Sequence, residues 1–463
     1  MSVNIEGSTN ALIVGAGTAG ISLAEDLRNH GIHVVGYLDD FVKSPEVLGK
    51  LEEVAEVIKI KSVQSVYFAI PSASSEVLRE FISHLDLSAV EFAVVPRTYN
   101  ILAKERIDIN DLSDIDVLDL VGRAPVKHDM LAAHELLAGK KVFVSGAAGS
   151  IGSRLVEQLL SLNPETVVCV DRFENGMFRL IQKLQKNPAF KPYIADIQNE
   201  ILIGKIMEEE KPDFVFHAAA YKHVPLMEDN PIEAVNNNIW GTYNLMEQAG
   251  RSGVSSFVYV STDKAVNPAN VMGATKRAGE LLLADFGRKY PKTRFAGVRF
   301  GNVLQSEGSV MQIFRDQIAK KQPLTITHPD ITRYFMTIDE ASQLIIQAAS
   351  LSNHADLFVL DMGEPIKVID LAQGLIKAVD PSLQIQIIGL RPGEKMYEEL
   401  SYGLSVKDST THPKIFILRG ELGNEADKNL DWAESFTNQT RAYEMNPRDV
   451  VSVLQNRGLL VQS

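Results

Sequence analysis

Residues 142–152 read VFVSGAAGSIG, an apolar run that breaks into three glycines, Gly146, Gly149 and Gly152. A helical pattern follows, and then a second apolar run, Val167-Val168-Cys169-Val170, that ends at Asp171. Strand, glycine turn, helix, strand and acid in this order are the parts of a nucleotide-binding βαβ unit. Glycine lets the backbone bend tightly and approach a pyrophosphate, whose charge the next helix N-terminus meets. The stretch Gly146, Ala148, Gly149, Ser150, Ile151 and Gly152 is therefore expected to cradle phosphates, and the Asp171 carboxylate to bind a ribose diol.

The scheme occurs a second time nearer the N-terminus. Residues 11–20 read ALIVGAGTAG, with Gly15, Gly17 and Gly20, and the next apolar run, His33 to Leu38, ends at Asp39. In both copies the acid lies 19 residues after the last glycine. Between them the alternation continues with SVYFAI at 65–70, a helical pattern over 74–85 and EFAVVP at 91–96. Gly15, Gly17, Gly20 and Asp39 thus form a candidate second nucleotide site, with no chemistry attached downstream.

This pattern predicts an α/β chain of two Rossmann-like, doubly wound parallel-sheet domains. Residues 1–120 are expected to form the first, 121–139 with Gly122 and Pro125 a linker, and 140–463 the second. A small C-terminal substrate-binding lobe is expected mainly from about residue 303.

A net charge of −13 argues against a nucleic-acid partner but leaves room for an anionic ligand held by a few local cations. The single cysteine, Cys169, excludes an internal disulfide and reads as a buried strand residue. No apolar run reaches the ~18 residues of a membrane span and no leader pattern is seen, so a cytoplasmic location is expected. The histidines are scattered and no paired-cysteine motif occurs, so no metal site is expected.

In the second half, PYIADI at 192–197 brings Asp196 and Ile197 to a strand end, where an adenine edge would lie. FVFHAAA at 214–220 ends in Ala218, Ala219 and Ala220, small enough for close packing of a cofactor. Lys222 and His223 follow in a loop within reach of a sugar, although a lone histidine there is as often structural. SFVYVSTDKA at 256–265 places Thr262-Asp263-Lys264 at the carboxyl end of a strand, where open α/β sheets keep reactive groups. Met272 and Lys276 lie one turn apart on one face of the next helix. Taken alone, Asp263 and Lys264 read first as a surface ion pair; the cofactor fingerprint upstream and Lys276 twelve residues on shift the reading toward a site.

The motifs GAAGSIGS, HAAAYKHVPLME, STDKAVNP, NVMGATKRAGE, RFGNVL, TRYFMT and RPGEK run in order over about residues 140–400. Together they resemble the extended short-chain dehydrogenase/reductases. Within these the chain is similar to the polysaccharide-biosynthesis 4,6-dehydratases that act on UDP-N-acetylglucosamine, in the long type with Met272 in place of the usual tyrosine. The resemblance implies a hydro-lyase with a tightly bound, recycled NAD: oxidation at C4, loss of water across C5–C6, and hydride return to C6. It also implies Lys276 at the nicotinamide ribose, Lys264 as base at C5, Asp263 as acid at the 6-hydroxyl and Thr262 near O4. Asn302, Arg333 and Arg391 are the implied diphosphate contacts, and Glu394 the nucleoside-ribose contact.

Methionine cannot accept a proton, so Asp263, Lys264, Lys276 or a water is left to take the one on the 4-hydroxyl. Burial and the cationic Lys276 are expected to lower the proton affinity of Lys264. Asp171 favours NAD, while Arg172 keeps NADP open. A UDP-sugar is expected, with a GDP-sugar open, and a homo-oligomer is expected. Two alternatives stand beside the dehydratase: an NAD-dependent epimerase or reductase on the same kind of substrate, and a non-catalytic nucleotide-sugar sensor.

Overall fold

The computed structural model describes residues 10–71, 73, 75–85, 90–95, 130–304, 306–352, 355–379, 382–403, 406–422, 429–441 and 444–461. They divide into two units. One takes the chain up to 126 with 314–325 and 369–386; the other takes 127–313, 326–368 and 387–463. The lobe expected from about residue 303 is thus shared between the units.

In the first unit, β1 (Asn10–Val14), β2 (His33–Leu38), β3 (Val47–Gly49), β4 (Ser65–Phe68) and β5 (Glu91–Val94) pair in the order β3-β2-β1-β4-β5. Every pairing is parallel. Leu12, Ile13 and Val14 are fully buried, as both-face coverage by crossover helices requires. Those helices are Thr18–Asn29, Val54–Lys61 and Ser75–Ser83.

The second unit repeats the plan at larger size. Its strands include β6 (Lys141–Ser145), β7 (Thr166–Asp171), β8 (Phe190–Ile194), β9 (Phe214–His217), β10 (Ser256–Val260) and β11 (Arg294–Arg299). They lie in the order β8-β7-β6-β9-β10-β11, extended by Asp356–Leu360. The far edge is finished by two antiparallel strands, Ile415–Arg419 and Val406–Ser409. Strand order reverses at β6, between β7 and β9, and open α/β sheets bind ligands at such a switch point. Cys169 is buried in β7, and burial pushes its thiol well up.

Of the stretch expected as a linker, 121–129 lies outside the described residues, and Leu131–Leu137 is a helix. Its Ala133 and Leu137 enter the apolar core of the second unit, a spacing that Gly122 and Pro125 drew attention away from. Among the described residues, no helix is long and apolar enough to cross a membrane.

Candidate active site

The glycine turn after β6 has the geometry its sequence demands. Gly146 has φ +71, and a Cβ there would lie 2.5 Å from the Ala219 amide nitrogen. A Cβ on Gly152 would lie 1.9 Å from the Gly146 carbonyl oxygen, so the helix Ser150–Leu160 can start this close to the strand only with glycine. Asp171 has a structural task as well: its Oδ2 accepts from the Ala148 amide at 2.9 Å and its Oδ1 from the Phe173 amide at 2.8 Å. Asp39 does the same in the first unit, accepting from the amides of Ala16, Phe41 and Val42 at 2.8 Å each. Burial would raise the Asp39 carboxyl, but these three bonds outweigh it and hold it below the usual range.

Two cavities open along the carboxyl ends of the strands in the second unit. The smaller, about 190 Å³, is lined by Gly146, Gly149, Asp171, Arg172, Asp196, Ile197 and Ala218–Ala220. The larger, about 610 Å³, is lined by Ser150, Ile151, Gly152, Lys222, His223, Thr262, Lys264, Met272, Lys276 and Asn302, among others. Gly149, Phe173, Ala218, Ala220 and Tyr221 line both, so the two adjoin. Ala148, Asp263, Arg333, Arg391 and Glu394 line neither.

Arg172 is committed within the smaller cavity. It donates to Asp196 Oδ2 at 3.0 Å, reaches the Tyr221 hydroxyl and lies 4.6 Å from the Tyr221 ring centroid. Tyr221 is itself fixed by Asn238, which accepts from its amide at 2.8 Å and donates to its carbonyl and to Thr275 Oγ1 at 3.0 Å. Asn238 sits in a π-helical turn, Asn236–Trp240, which re-aims its side chain toward the helix Val271–Lys289. The sequence marks neither the turn nor Tyr221.

That helix is capped by Asn270, whose Oδ1 accepts from the Gly273 amide at 2.7 Å. A Cβ on Gly273 would fall 2.2 Å from the Lys264 carbonyl oxygen, so glycine lets the helix touch the Thr262–Lys264 turn. Lys276 donates to the Val260 carbonyl at 2.5 Å and lies 4.0 Å from the Tyr259 ring centroid. Burial lowers its ammonium to about 7, against the opposing charge of Glu280.

Lys276 therefore sheds its proton on folding over the range between 7 and its ordinary 10.5. There the unfolded chain binds more protons, so stability should rise with pH, by up to about 1 kcal/mol per pH unit. Thermal midpoints of the nucleotide-free protein should climb relative to Lys276→Met from about pH 7 to about pH 9. Parallel curves for the two proteins would show that Lys276 stays charged.

Beside Lys276 the expected catalytic residues form one bonded group. Asp263 is fully buried, and its Oδ1 accepts from Thr262 Oγ1 at 2.8 Å and from Lys264 Nζ at 3.0 Å. Its Oδ2 has no partner. Lys264 Nζ also donates to Asn302 Oδ1 at 3.1 Å and lies 3.7 Å from Glu398 Oε1. Burial alone would lower the Lys264 ammonium, but the Asp263 carboxylate, with the Glu398 carboxyl group beside it, outweighs burial and raises it. This corrects the expected lowering, because the Asp263 carboxylate is the strongest neighbour of Lys264, the cation that opposes it is Arg333, and Lys276 is not among the groups that act on it. Nothing in the sequence sets Glu398 apart from its acidic neighbours Glu394 and Glu399.

Arg333 and Glu394 are brought together with each other instead of into the cavities. Arg333 is buried and donates to the carbonyls of Thr332, Lys395 and Met396 at 2.7, 2.8 and 3.3 Å, and to Glu394 Oε1 at 3.4 Å. Glu394 Oε2 accepts from the Arg391 amide at 3.2 Å. The RPGEK turn is tied in turn to the helix cap, since Asn270 Nδ2 donates to the Gly393 carbonyl at 3.0 Å.

Comparison with known proteins agrees with this architecture. A family described as polysaccharide biosynthesis protein matches residues 142–420, and a family described as CoA-binding domain matches residues 4–96. The chain is 41% identical over 438 residues to the capsular polysaccharide biosynthesis protein CapD of Staphylococcus aureus, covering 91% of this chain and 73% of that one. It is also 41% identical over 427 residues to the probable polysaccharide biosynthesis protein EpsC of Bacillus subtilis, covering 89% and 71%. Among solved structures, Pen from Bacillus thuringiensis superposes with a TM-score of 0.58 at 33% identity, covering 65% of this chain and 98% of that one. The chain belongs to the polysaccharide biosynthesis protein family, nucleotide-sugar enzymes of the extended short-chain dehydrogenase/reductase superfamily.

Proposed function

We propose that the protein is a nucleotide-sugar 4,6-dehydratase that converts UDP-N-acetylglucosamine to the 4-keto-6-deoxy sugar. The observation that carries this reading is the bonded Thr262–Asp263–Lys264 group beside Lys276, with Thr262, Lys264 and Lys276 facing the cavity that adjoins the glycine turn. A reaction that only inverts C4 has no use for an acid and a base to act at C6 and C5.

The glycine cradle, closed to any Cβ at Gly146 and Gly152, fits a dinucleotide diphosphate over the N-terminus of helix Ser150–Leu160. Asp171 has lone pairs left for ribose hydroxyls, Asp196 and Ile197 would edge an adenine, and Ala218–Ala220 would allow close packing. Arg172 is held by Asp196 and Tyr221, which turns it from a 2′-phosphate and favours NAD over NADP. When bound, NAD supplies the acceptor for the C4 hydride and its return to C6.

The rest falls to the side chains. Lys276, tuned to about 7, takes the 4-hydroxyl proton that Met272 cannot. Thr262 orients O4. Lys264 and Asp263 start as an ion pair; a proton passing from Nζ to Oδ1 along their 3.0 Å bond yields the neutral amine and carboxylic acid that elimination needs. Lys264 then removes the C5 proton, Asp263, lying behind Thr262 and Lys264, protonates the departing 6-hydroxyl, and the Lys264 ammonium gives a proton back to C5 as C6 is reduced. Lys222, His223 and Asn302 hold the sugar end. Arg391 and Glu394 lie outside the two cavities and would meet the UDP only at its outer end, with Arg333 holding their turn in place.

Mass and NMR analysis after incubation with UDP-N-acetylglucosamine tests the reading. A product lighter by one water supports it. A C4 epimer of equal mass replaces it with an epimerase. An unchanged sugar, with NAD and NADP added and with a GDP-linked analogue also inert, overturns it and favours the sensor.

A further inference from the structure

Glu398 is a second carboxyl group beside Lys264, and its surroundings differ from those of Asp263. Its side chain is 4% exposed. Oε2 has no hydrogen-bond partner, and the contact of Oε1 is the Lys264 ammonium at 3.7 Å, beyond hydrogen-bond distance. That ammonium already donates to Asp263 and Asn302. Asp263 accepts two hydrogen bonds, one from a cation, as an ionised carboxylate does. A buried carboxylate without donors is costly, whereas a buried carboxylic acid is far less so.

We propose that Glu398 stands as a neutral carboxylic acid in the working enzyme, and that this neutrality lets Lys264 pass its proton to Asp263. The inference rests on Lys264 acting as the C5 base. In the transfer one N–H bond of Lys264 breaks and one O–H bond of Asp263 forms, with the charge of the pair unchanged. An ionised Glu398 would place a second negative charge 3.7 Å from Nζ, pin the ammonium and stop the base from forming. Glu398 is a positioning residue, since it acts through Lys264. The charged groups around it are Lys264, Asp263, Arg333 and Lys395; burial and Asp263 raise its carboxyl, and the three cations oppose them without reversing the direction.

Infrared difference spectra of the whole protein without substrate, wild type minus Glu398→Gln, test the protonation state. A protonated-carboxyl stretch at neutral pH that is missing from E398Q, and that fades in wild type on alkaline titration, is expected. No such band, or one that survives E398Q and vanishes in Asp263→Asn, overturns the assignment. In turnover, the alkaline midpoint of kcat should move up by about one pH unit or more in E398Q, because the group that ionises is gone. Glu398→Asp should keep the limb, and any limb due to Lys276 is common to all three proteins. An unmoved midpoint in E398Q overturns the gating role. Failure of wild type to release water would sink the dehydratase reading instead, and the infrared result would still decide the state of Glu398.

Discussion

Replacing Lys264 with methionine is expected to lower turnover of the nucleotide sugar by about 10²–10⁴-fold, the range lost with a positioned general base. Exchange of the C5 proton with solvent should be lost with it. Lysine here faces the cavity while bonded to Asp263 and Asn302, so the same substitution also removes a charge. Lys264→Arg separates the two roles. Arginine keeps the cation but cannot give up its proton in a protein. If Lys264 is a base, the arginine variant stays as slow as the methionine one; recovery of activity would show that charge alone is needed.

The second large effect is on stability. Behind the catalytic helix, Arg299 and Glu280 are both fully buried and joined by paired bonds of 2.7 and 3.0 Å. Glu280 also accepts from Ser261 at 2.7 Å and Arg277 at 2.9 Å, and Arg299 donates to Glu421 at 2.6 Å and to the Leu400 carbonyl at 3.0 Å. Burial would raise the Glu280 carboxyl, but Arg299, Arg277 and Ser261 outweigh it and lower it. Glu280→Leu leaves Arg299 charged and half-paired out of water, at a cost of about 3–5 kcal/mol. A fall of roughly 5–15 °C in Tm should follow. Adding Arg299→Leu removes the stranded guanidinium but takes from buried Glu421 the cation it binds at 2.6 Å, so the double variant should stay well below wild type. A single variant as stable as wild type would show that the network contributes specificity but little stability.

What the sequence disclosed was local in the chain. The spacing of Gly146, Gly149, Gly152 and Asp171 is a rule about one turn and one helix end, and both copies of it fold as read. Parallel order also followed from the alternation, since the central strands β1, β4, β6, β9 and β10 are buried on both faces and written largely in apolar residues. The antiparallel edge did not: Val406–Ser409 is short, exposed and polar, and the apolar, mostly buried Ile415–Arg419 carries nothing in its composition that tells its direction. Glu398 was hidden for another reason. Its importance comes from lying 3.7 Å from Lys264, a contact between distant parts of the chain that no periodicity records. Asn238 and Tyr221 were hidden by the π-helical turn, whose extra residue shifts a helical face without leaving a mark in NNNIW. Arg333 and Glu394 were singled out by motif, and the structure adds that they bind each other.

The central claim is that this site removes a proton from C5 and water from C6 with a cofactor it already holds. The most direct measurement incubates the wild-type protein with UDP-N-acetylglucosamine in D₂O, with no nucleotide added, and follows the sugar by NMR. Expected is a 4-keto-6-deoxy product carrying deuterium at C5. A sugar that keeps its 6-hydroxyl and its C5 proton, inverted at C4 or unchanged, would contradict it.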